Sequence, residues 1–401
     1  MNYVKKNVMI LSFCQIFFTS TTSVLALTAG LVGYQLVEFN QAYATIPISA
    51  MVIGTALSTA PVAKLMSYKG KKTAFTIGNI IAITGCAICI LGIYFKLFWF
   101  FTLGVFLIGC FSAFAHQYRF AAADIANQNF KPKAISLVLA GGVFAAYFGP
   151  EIASRTSNYF ENYIYLGSYT AVLFILIISI FFIRLINIPI LELKKLSGKS
   201  RKLIDIIKQP LFILSVSSST VGFSVMILLM TATPIAMIEH CGHKLSDAKF
   251  VIQWHIVAMF APSFFTGSLI NYFGNLRVIG LGIVFMFISI LMAIIGTDLI
   301  YFWLSMFFLG LGWNFMFVGG STLLTSTYTV NETSKSQGFH DFVVFYFVAI
   351  SSIGSGVLLE LYGWNGVGFG AIPLMIFMVL IFLFVLIYSD KEGKSSDKSR
   401  L

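Results

Sequence analysis

The sequence predicts an all-α membrane protein of twelve transmembrane helices, arranged as two pseudo-symmetric six-helix bundles. Three observations predict it. Hydrophobic residues make up 58% of the 401-residue chain and charged residues only 10%, a composition outside the range of water-soluble domains. Apolar runs of roughly 18 to 24 residues recur from end to end, each long enough to cross a hydrocarbon core of about 30 Å as a helix. The second half also repeats the first in recognisable pieces.

The runs fall at 8–29, 43–65, 73–95, 98–121, 134–153, 164–186, 211–235, 248–269, 278–297, 300–323, 340–360 and 369–388, numbered here as spans 1 to 12. An even number of spans puts both termini on one side, and 21 of the 26 Lys and Arg then lie on that side. Only Lys96, Arg155, Lys244 and Lys249 face the other way, and Arg119 sits inside a span. That bias makes the terminal side cytoplasmic. The formal charge of +11 is therefore a topology signal, and no nucleic-acid partner is needed to explain it. Span 1 follows a basic start but is long and shows no small-residue cleavage site, so it reads as a retained helix.

The internal repeat has three anchors. "ILSFCQIFFTST" from Ile10 matches "ILSVSSSTVGFS" from Ile213 at a shift of 203. "AKLMSYKG", ending at Gly70, matches "GSLINYFG", ending at Gly274, at a shift of 204. "FLIGCFSAF" aligns with "FLGLGWNF" so that Gly109 falls on Gly310, a shift of 201. One duplication of six helices explains all three. The expected domains are a bundle over 1–188, a basic cytoplasmic linker over 189–209, and a second bundle with a short tail over 210–401. The linker's KKLSGKSRK core is expected at the anionic membrane surface.

Six plus six helices with a basic central loop resembles the major facilitator superfamily. That superfamily's turn between helices 2 and 3 follows G-x-L-x-D-[RK]-x-G-[RK]-[RK], and here the chain offers Ala63, Leu65, Ser67, Tyr68, Gly70, Lys71 and Lys72. The echo after span 8 offers Gly267, Leu269, Asn271, Tyr272 and Gly274. The motif's acid is missing from both. Span 5 carries "AGGVFAAYFGPE", similar to the G-x-x-x-G-P motif of antiporter members, with Ala145 at the upstream glycine ahead of Gly149 and Pro150. A narrower resemblance rests on "YRFAAAD", "LAGGVFAAYFGP", "QWHIVAMFAPSFFTG", "VGGSTLLTSTY" and "HDFVVF". These look like a little-characterised bacterial subgroup, some of whose members are described as riboflavin transporters. His340 stands where that subgroup leads one to expect Asn.

The resemblance implies that spans 1, 4, 7 and 10 line a central cavity with solute near mid-membrane. In chain order, span 1 supplies Gln15, Thr19, Ser20, Thr22 and Ser23, hydroxyl-rich enough for a wet wall. Ser and Thr also bond back to their own helix or to a neighbour, which is the alternative for each. Span 3 holds Cys86 and Cys89 on one face, but two thiols without further ligands make no metal site. The inner end of span 4 brings His116, Arg119 and Asp124, candidates for proton coupling or for a gate. The implied gate is made by the inner ends of spans 4, 5, 10 and 11, where Arg119 and Asp341 of span 11 would pair. Asp341 also suits the first turn of its helix, and Arg119 is able to snorkel to water.

Span 7 adds Ser215, Ser217, Ser218, Ser219 and Thr220 to the same wall. In span 8, Trp254 and His255 lie about 10 Å below the outer surface, and His255, Met259, Pro262 and Thr266 share one face. An ionisable residue at that depth is a functional candidate; a neutral imidazole bonded to a neighbouring helix is the alternative. Pro262 is expected to kink the span. Small residues such as Ala261 beside it, with Gly141, Gly142 and Ala145 of span 5, suggest a close rocking contact between those two spans. Span 10 carries Trp313 and Asn314. With Trp254, Trp313 is expected to be one of two deep tryptophans able to stack on a flat ring, while Trp99, Trp303 and Trp364 belong to an interfacial belt.

The expected solute-binding residues are thus Gln15, Thr19, Ser218, Trp254, His255, Trp313 and Asn314. The functional reading is a secondary transporter of a small organic solute, riboflavin being one instance, in a bacterial inner membrane with both termini cytoplasmic. It works by alternating access as a monomer, with protons as the coupling ion and no cofactor or metal. No G-x-x-x-x-G-K-[ST] loop and no hydrolytic constellation is present, so the chain reads as no enzyme. An exporter of drugs or siderophores, and a non-transporting sensor or scaffold of the same fold, stay open at this point. So do sodium coupling and facilitated diffusion.

Overall fold

A computed structural model describes residues 3–36, 46–188 and 200–398. Residues 189–199 of the expected linker lie outside them, as do 37–45, the first two residues and the last three. The described residues form helices joined by short turns, as membrane interiors demand of any backbone that lacks water partners. Helices α1 (Tyr3–Leu36), α2 (Ile46–Lys69), α3 (Lys71–Tyr94) and α8 (Leu166–Leu185) correspond to spans 1, 2, 3 and 6. Span 4 is α4 (Phe98–Ala115) plus the short α5 (Tyr118–Asp124), and span 5 is α6 (Lys131–Ala140) plus α7 (Gly142–Thr156).

After the short α9 (Leu203–Ile207), span 7 is α10 (Pro210–Ile235) and span 8 is α11 (Leu245–Phe260) plus α12 (Ser263–Phe273). Spans 9 and 10 are α13 (Asn275–Ile295) and α14 (Leu299–Leu324). The last helical stretch, α15 (Thr333–Lys398), holds spans 11 and 12. They run together only nominally: Gly363, at φ 66° and ψ −169°, breaks it into two helices.

Two compact units emerge, Met1–Leu196 with Gln337–Ala349, and Ser197–Ser336 with Ile350–Leu401. The first turns of span 11 therefore pack with the first unit. In that unit α4 packs on α2 and α3, and α1 on α6, α7 and α8. In the second, α14 is the centre, touched by α10, α11 and α13 and buried almost all round from Gly310 to Leu324. A helix apolar on every face belongs at such a centre.

The duplication is visible in backbone geometry. Gly70 (φ 78°, ψ 161°) and Gly274 (φ 85°, ψ 159°) make the same left-handed turn in the two halves, a conformation that favours glycine. Gly109 and Gly310 are also equivalent. A Cβ on Gly109 would lie 2.1 Å from the Met51 carbonyl oxygen, and one on Gly310 would lie 2.6 Å from the His255 carbonyl oxygen. Met51 and His255 are themselves related by the shift of 204, so His255 occupies a repeat position that is apolar in the first half.

Candidate solute-site and gate residues

In the second unit, α10 and α14 are joined by their hydroxyls. Ser215 Oγ donates to the Gly320 carbonyl at 2.8 Å and Ser218 Oγ to the Met316 carbonyl at 2.8 Å. Span 1 behaves differently: Thr19 donates to its own helix at Gln15, and Thr22 to Phe18 and Thr19. Gln15 is buried. Beside the serines lies an aromatic wall. Trp313 stacks on Phe317 (4.9 Å, 16°), and the rings of Phe223 and Phe260 meet it edge-on at 5.6 Å each. Trp313 is 3% exposed while Phe223 is half-buried, so Phe223 is the more accessible ring of the two. The Trp313 indole N–H has no partner among the described residues.

Span 8 breaks where Pro262 predicts, with α11 ending at Phe260 and α12 starting at Ser263. Asn314 bridges the break. Its Nδ2 donates to the Met259 carbonyl (2.6 Å) and to Ser263 Oγ (2.5 Å), and its Oδ1 accepts from Thr266 Oγ1 (2.7 Å). Pro262 supplies no N–H, so the turn before it lacks a ladder bond, and Asn314 feeds polar groups there from the side. Three partners commit most of its amide to helix packing. His255 is likewise turned inward: it is 0% exposed, and its Nδ1–H donates to the Met306 carbonyl at 2.7 Å. Its Nε2 has no partner among the described residues.

Trp254 is not enclosed as its neighbour His255 is. It is 40% exposed and packs edge-on to Trp303 at 6.1 Å and against Phe250. The reason is helical: neighbours differ by about 100° in direction, so a His255 facing α14 turns Trp254 outward. Trp364, assigned to the belt, is in turn buried against Phe302.

His255→Gln keeps a donor for the Met306 carbonyl and is expected to melt within about 1 kcal/mol of wild type, while His255→Ala should lose about 1–3 kcal/mol. Uptake by the Gln variant at equal expression then reads the other role. A wild-type rate assigns His255 to packing, and a loss assigns it to the solute.

At the C-terminal end of span 4, α5 and the first turns of α15 build a buried ionic cluster in the first unit. Arg119 Nη2 donates to Asp341 Oδ1 at 2.6 Å, with both side chains almost wholly buried. Gln117 Nε2 donates to Asp341 Oδ2 at 2.6 Å, and His340 Nδ1–H to Oδ1 at 2.9 Å. The guanidinium also reaches the His116 carbonyl at 2.7 Å and lies 4.4 Å over the Phe120 ring. The His116 ring rests between Phe18 and Phe345. Arg119 thus finds its partner without snorkelling. Asp124 pairs with Lys71 of the turn motif and accepts from Gln337 Nε2 at 3.2 Å, while Lys72 caps the Arg184 carbonyl at 2.7 Å.

Among the described residues no His, Cys, Asp and Glu group could hold a metal, and the five cysteines are free. The small residues of span 5 meet span 1. A Cβ on Gly141 would lie 2.5 Å from the Ser12 carbonyl oxygen, one on Gly149 would lie 2.4 Å from Ser23 Cβ, and Ser12 Oγ donates to the Leu137 carbonyl. Gly142 and Ala145 are buried, and Pro150 lies inside α7. Ala261 caps α11 through its N–H to the Val257 carbonyl, and Gly267 is buried in α12.

Sequence reasoning misses several partners. Gln117 reads as an ordinary polar residue at a span end, and Phe223, Phe260 and Phe317 are lost among 42 phenylalanines. Glu332, fully buried before span 11, accepts from Arg201 Nη2 (2.6 Å), Nε and N, fastening the described end of the linker. Those bonds raise Arg201 above its ordinary pKa. An isolated acid in a polar loop carries no spacing signal that points to this.

Residues 214–400 match the model of the Major Facilitator Superfamily. The chain is 36% identical over 373 residues to a riboflavin transporter, RfnT, of Brucella anthropi, covering 92% of this chain and 93% of the relative. Among solved structures, that of the human organic anion transporter MFSD10 superposes with a TM-score of 0.76 at 10% identity, covering 95% of this chain and all of that one. A bacterial homologue of the iron transporter ferroportin gives a TM-score of 0.73 at 11% identity, covering 96% and 99%. At such identities these two speak for the fold alone. With the twelve spans, the duplicated glycine turns and a relative matched over nearly its whole length, the chain belongs to the major facilitator superfamily and is a multi-pass membrane transporter.

Proposed function

We propose that the protein moves a flavin-like vitamin, riboflavin in the first instance, across the inner membrane of a bacterium by alternating access, driven by protons. The observation that carries the solute is the 36% identity, end to end, with a riboflavin transporter. The aromatic wall agrees with it: a flat tricyclic ring needs aromatic faces to stack on and a few polar groups for its edges. Phe223 offers such a face, Trp313 and Phe317 hold it from behind, and Ser218 of the same unit is the polar residue proposed for an edge. Proton coupling is supported by the buried ionisable cluster of Arg119, Asp341 and the two histidines. The lysine and arginine distribution supports cytoplasmic termini. The protein is proposed to act as a monomer.

Thermal melting of the purified protein in detergent with and without riboflavin tests the solute. At 100 times its dissociation constant a ligand stabilises by about 2.7 kcal/mol, and no shift at saturating riboflavin would reject the vitamin. Trp313→Leu keeps apolar bulk but removes the ring behind Phe223. Riboflavin affinity should fall about fivefold, consistent with about 1 kcal/mol per aromatic pair, while the folded yield is kept. Affinity equal to wild type would refute the wall's role. Uptake and efflux compared in cells with and without the protein set the direction.

A further inference from the structure

Of the imidazoles in the buried cluster, His340 is the one that touches the carboxylate directly. It is 0% exposed, donates Nδ1–H to Asp341 Oδ1, and meets the Phe120 ring edge-on at 5.7 Å. With Nδ1 protonated, the neutral ring leaves Nε2 as a bare acceptor, and that atom has no partner among the described residues. The titratable and charged groups that face His340 are Asp341 on its own helix and Arg119 on α5; His116, also on that span, acts on the same carboxylate. Asp124, the next acid, is already matched by Lys71.

Charge counting around Asp341 gives the consequence. One carboxylate faces one guanidinium, so the cluster is neutral while His340 is neutral. A proton on Nε2 would put a second positive charge beside Arg119 with one anion between them, in a site closed to water. Buried charges persist only when paired, so His340 and Arg119 would then compete for Asp341. Winning the carboxylate frees Arg119 from it. Because Asp341 and His340 sit at the start of α15 and Arg119 on α5, that exchange loosens one helix from the other.

Two other imidazoles are less suited. His255 is bonded to a backbone carbonyl with no ionic partner. His116 is held between aromatic rings and meets the pair through its carbonyl.

We infer that His340 carries the coupling proton, exchanging partners with Arg119 on Asp341 so that proton uptake releases the first turns of span 11. The inference rests on the proton-coupled reading above. The proton is taken up at Nε2 from water when the cluster opens and leaves by the same atom; no bond other than N–H is made or broken.

His340→Asn and His340→Gln each keep an N–H donor for Asp341 but cannot carry a proton. In proteoliposomes with riboflavin as the probe, wild-type accumulation under an imposed pH gradient is compared with exchange at equal pH. The variants should lose at least tenfold more accumulation than exchange. In detergent without solute, the wild-type melting temperature should fall between pH 8 and pH 5 more steeply than that of His340→Asn. Variants that accumulate like wild type, or melting profiles that superimpose, overturn the inference. A wild-type protein that accumulates nothing under either gradient rejects the solute or coupling reading instead, and the melting comparison alone then decides whether His340 takes the proton.

Discussion

Asp341→Asn is expected to destabilise the protein by about 3–5 kcal/mol, the usual cost of removing one partner from a buried ion pair. The substitution barely changes shape, so the loss isolates charge: Arg119, almost wholly buried, keeps its positive charge and loses the anion that two other donors, Gln117 and His340, also point at. Arg119→Met should cost a similar amount for the converse reason. The double variant Arg119→Met with Asp341→Leu removes both charges and should recover most of either loss, because an apolar pair of comparable volume requires no desolvation of ions. Melting or denaturant titration of the wild type, Arg119→Met, Asp341→Leu and their combination closes the cycle. A double variant as unstable as the sum of the singles would show that the two side chains act independently, and the ionic cluster would not be the holding element at the start of span 11.

Asn314→Leu is expected to cost about 2–4 kcal/mol, since the Met259 carbonyl, Ser263 and Thr266 each lose a partner in a place water does not reach. The cause lies in span 8, where Pro262 removes a ladder bond and Asn314 replaces polar contact from α14. Adding Pro262→Ala to Asn314→Leu restores an N–H that can reach the Ala258 carbonyl, so the pair should be more stable than Asn314→Leu alone. If Asn314→Leu melts with the wild type, the helix break supports itself and Asn314 is free for solute.

Much of this protein is written in one dimension. Span lengths follow from bilayer thickness, and the duplication from the aligned pieces around Gly70 and Gly274, where a left-handed backbone admits glycine readily. The break at Pro262 is equally local, because a missing N–H acts within a single turn. Trp254 marks the limit of such reasoning. Depth along a span follows from counting residues, but direction around it depends on which neighbour the helix chooses, and α11 chose to turn His255 to α14.

The pairing of Arg119 with Asp341 shows the same division. Their types marked both residues as expensive to bury, and the resemblance suggested that they meet. The meeting itself, with Gln117 and His340 completing the carboxylate's partners, joins residues more than two hundred positions apart in the chain. Periodicity reports which residues share a helix face. Which faces then share a carboxylate was decided only by tertiary packing, because hydrogen bonds across helices depend on distances that no spacing along the chain encodes.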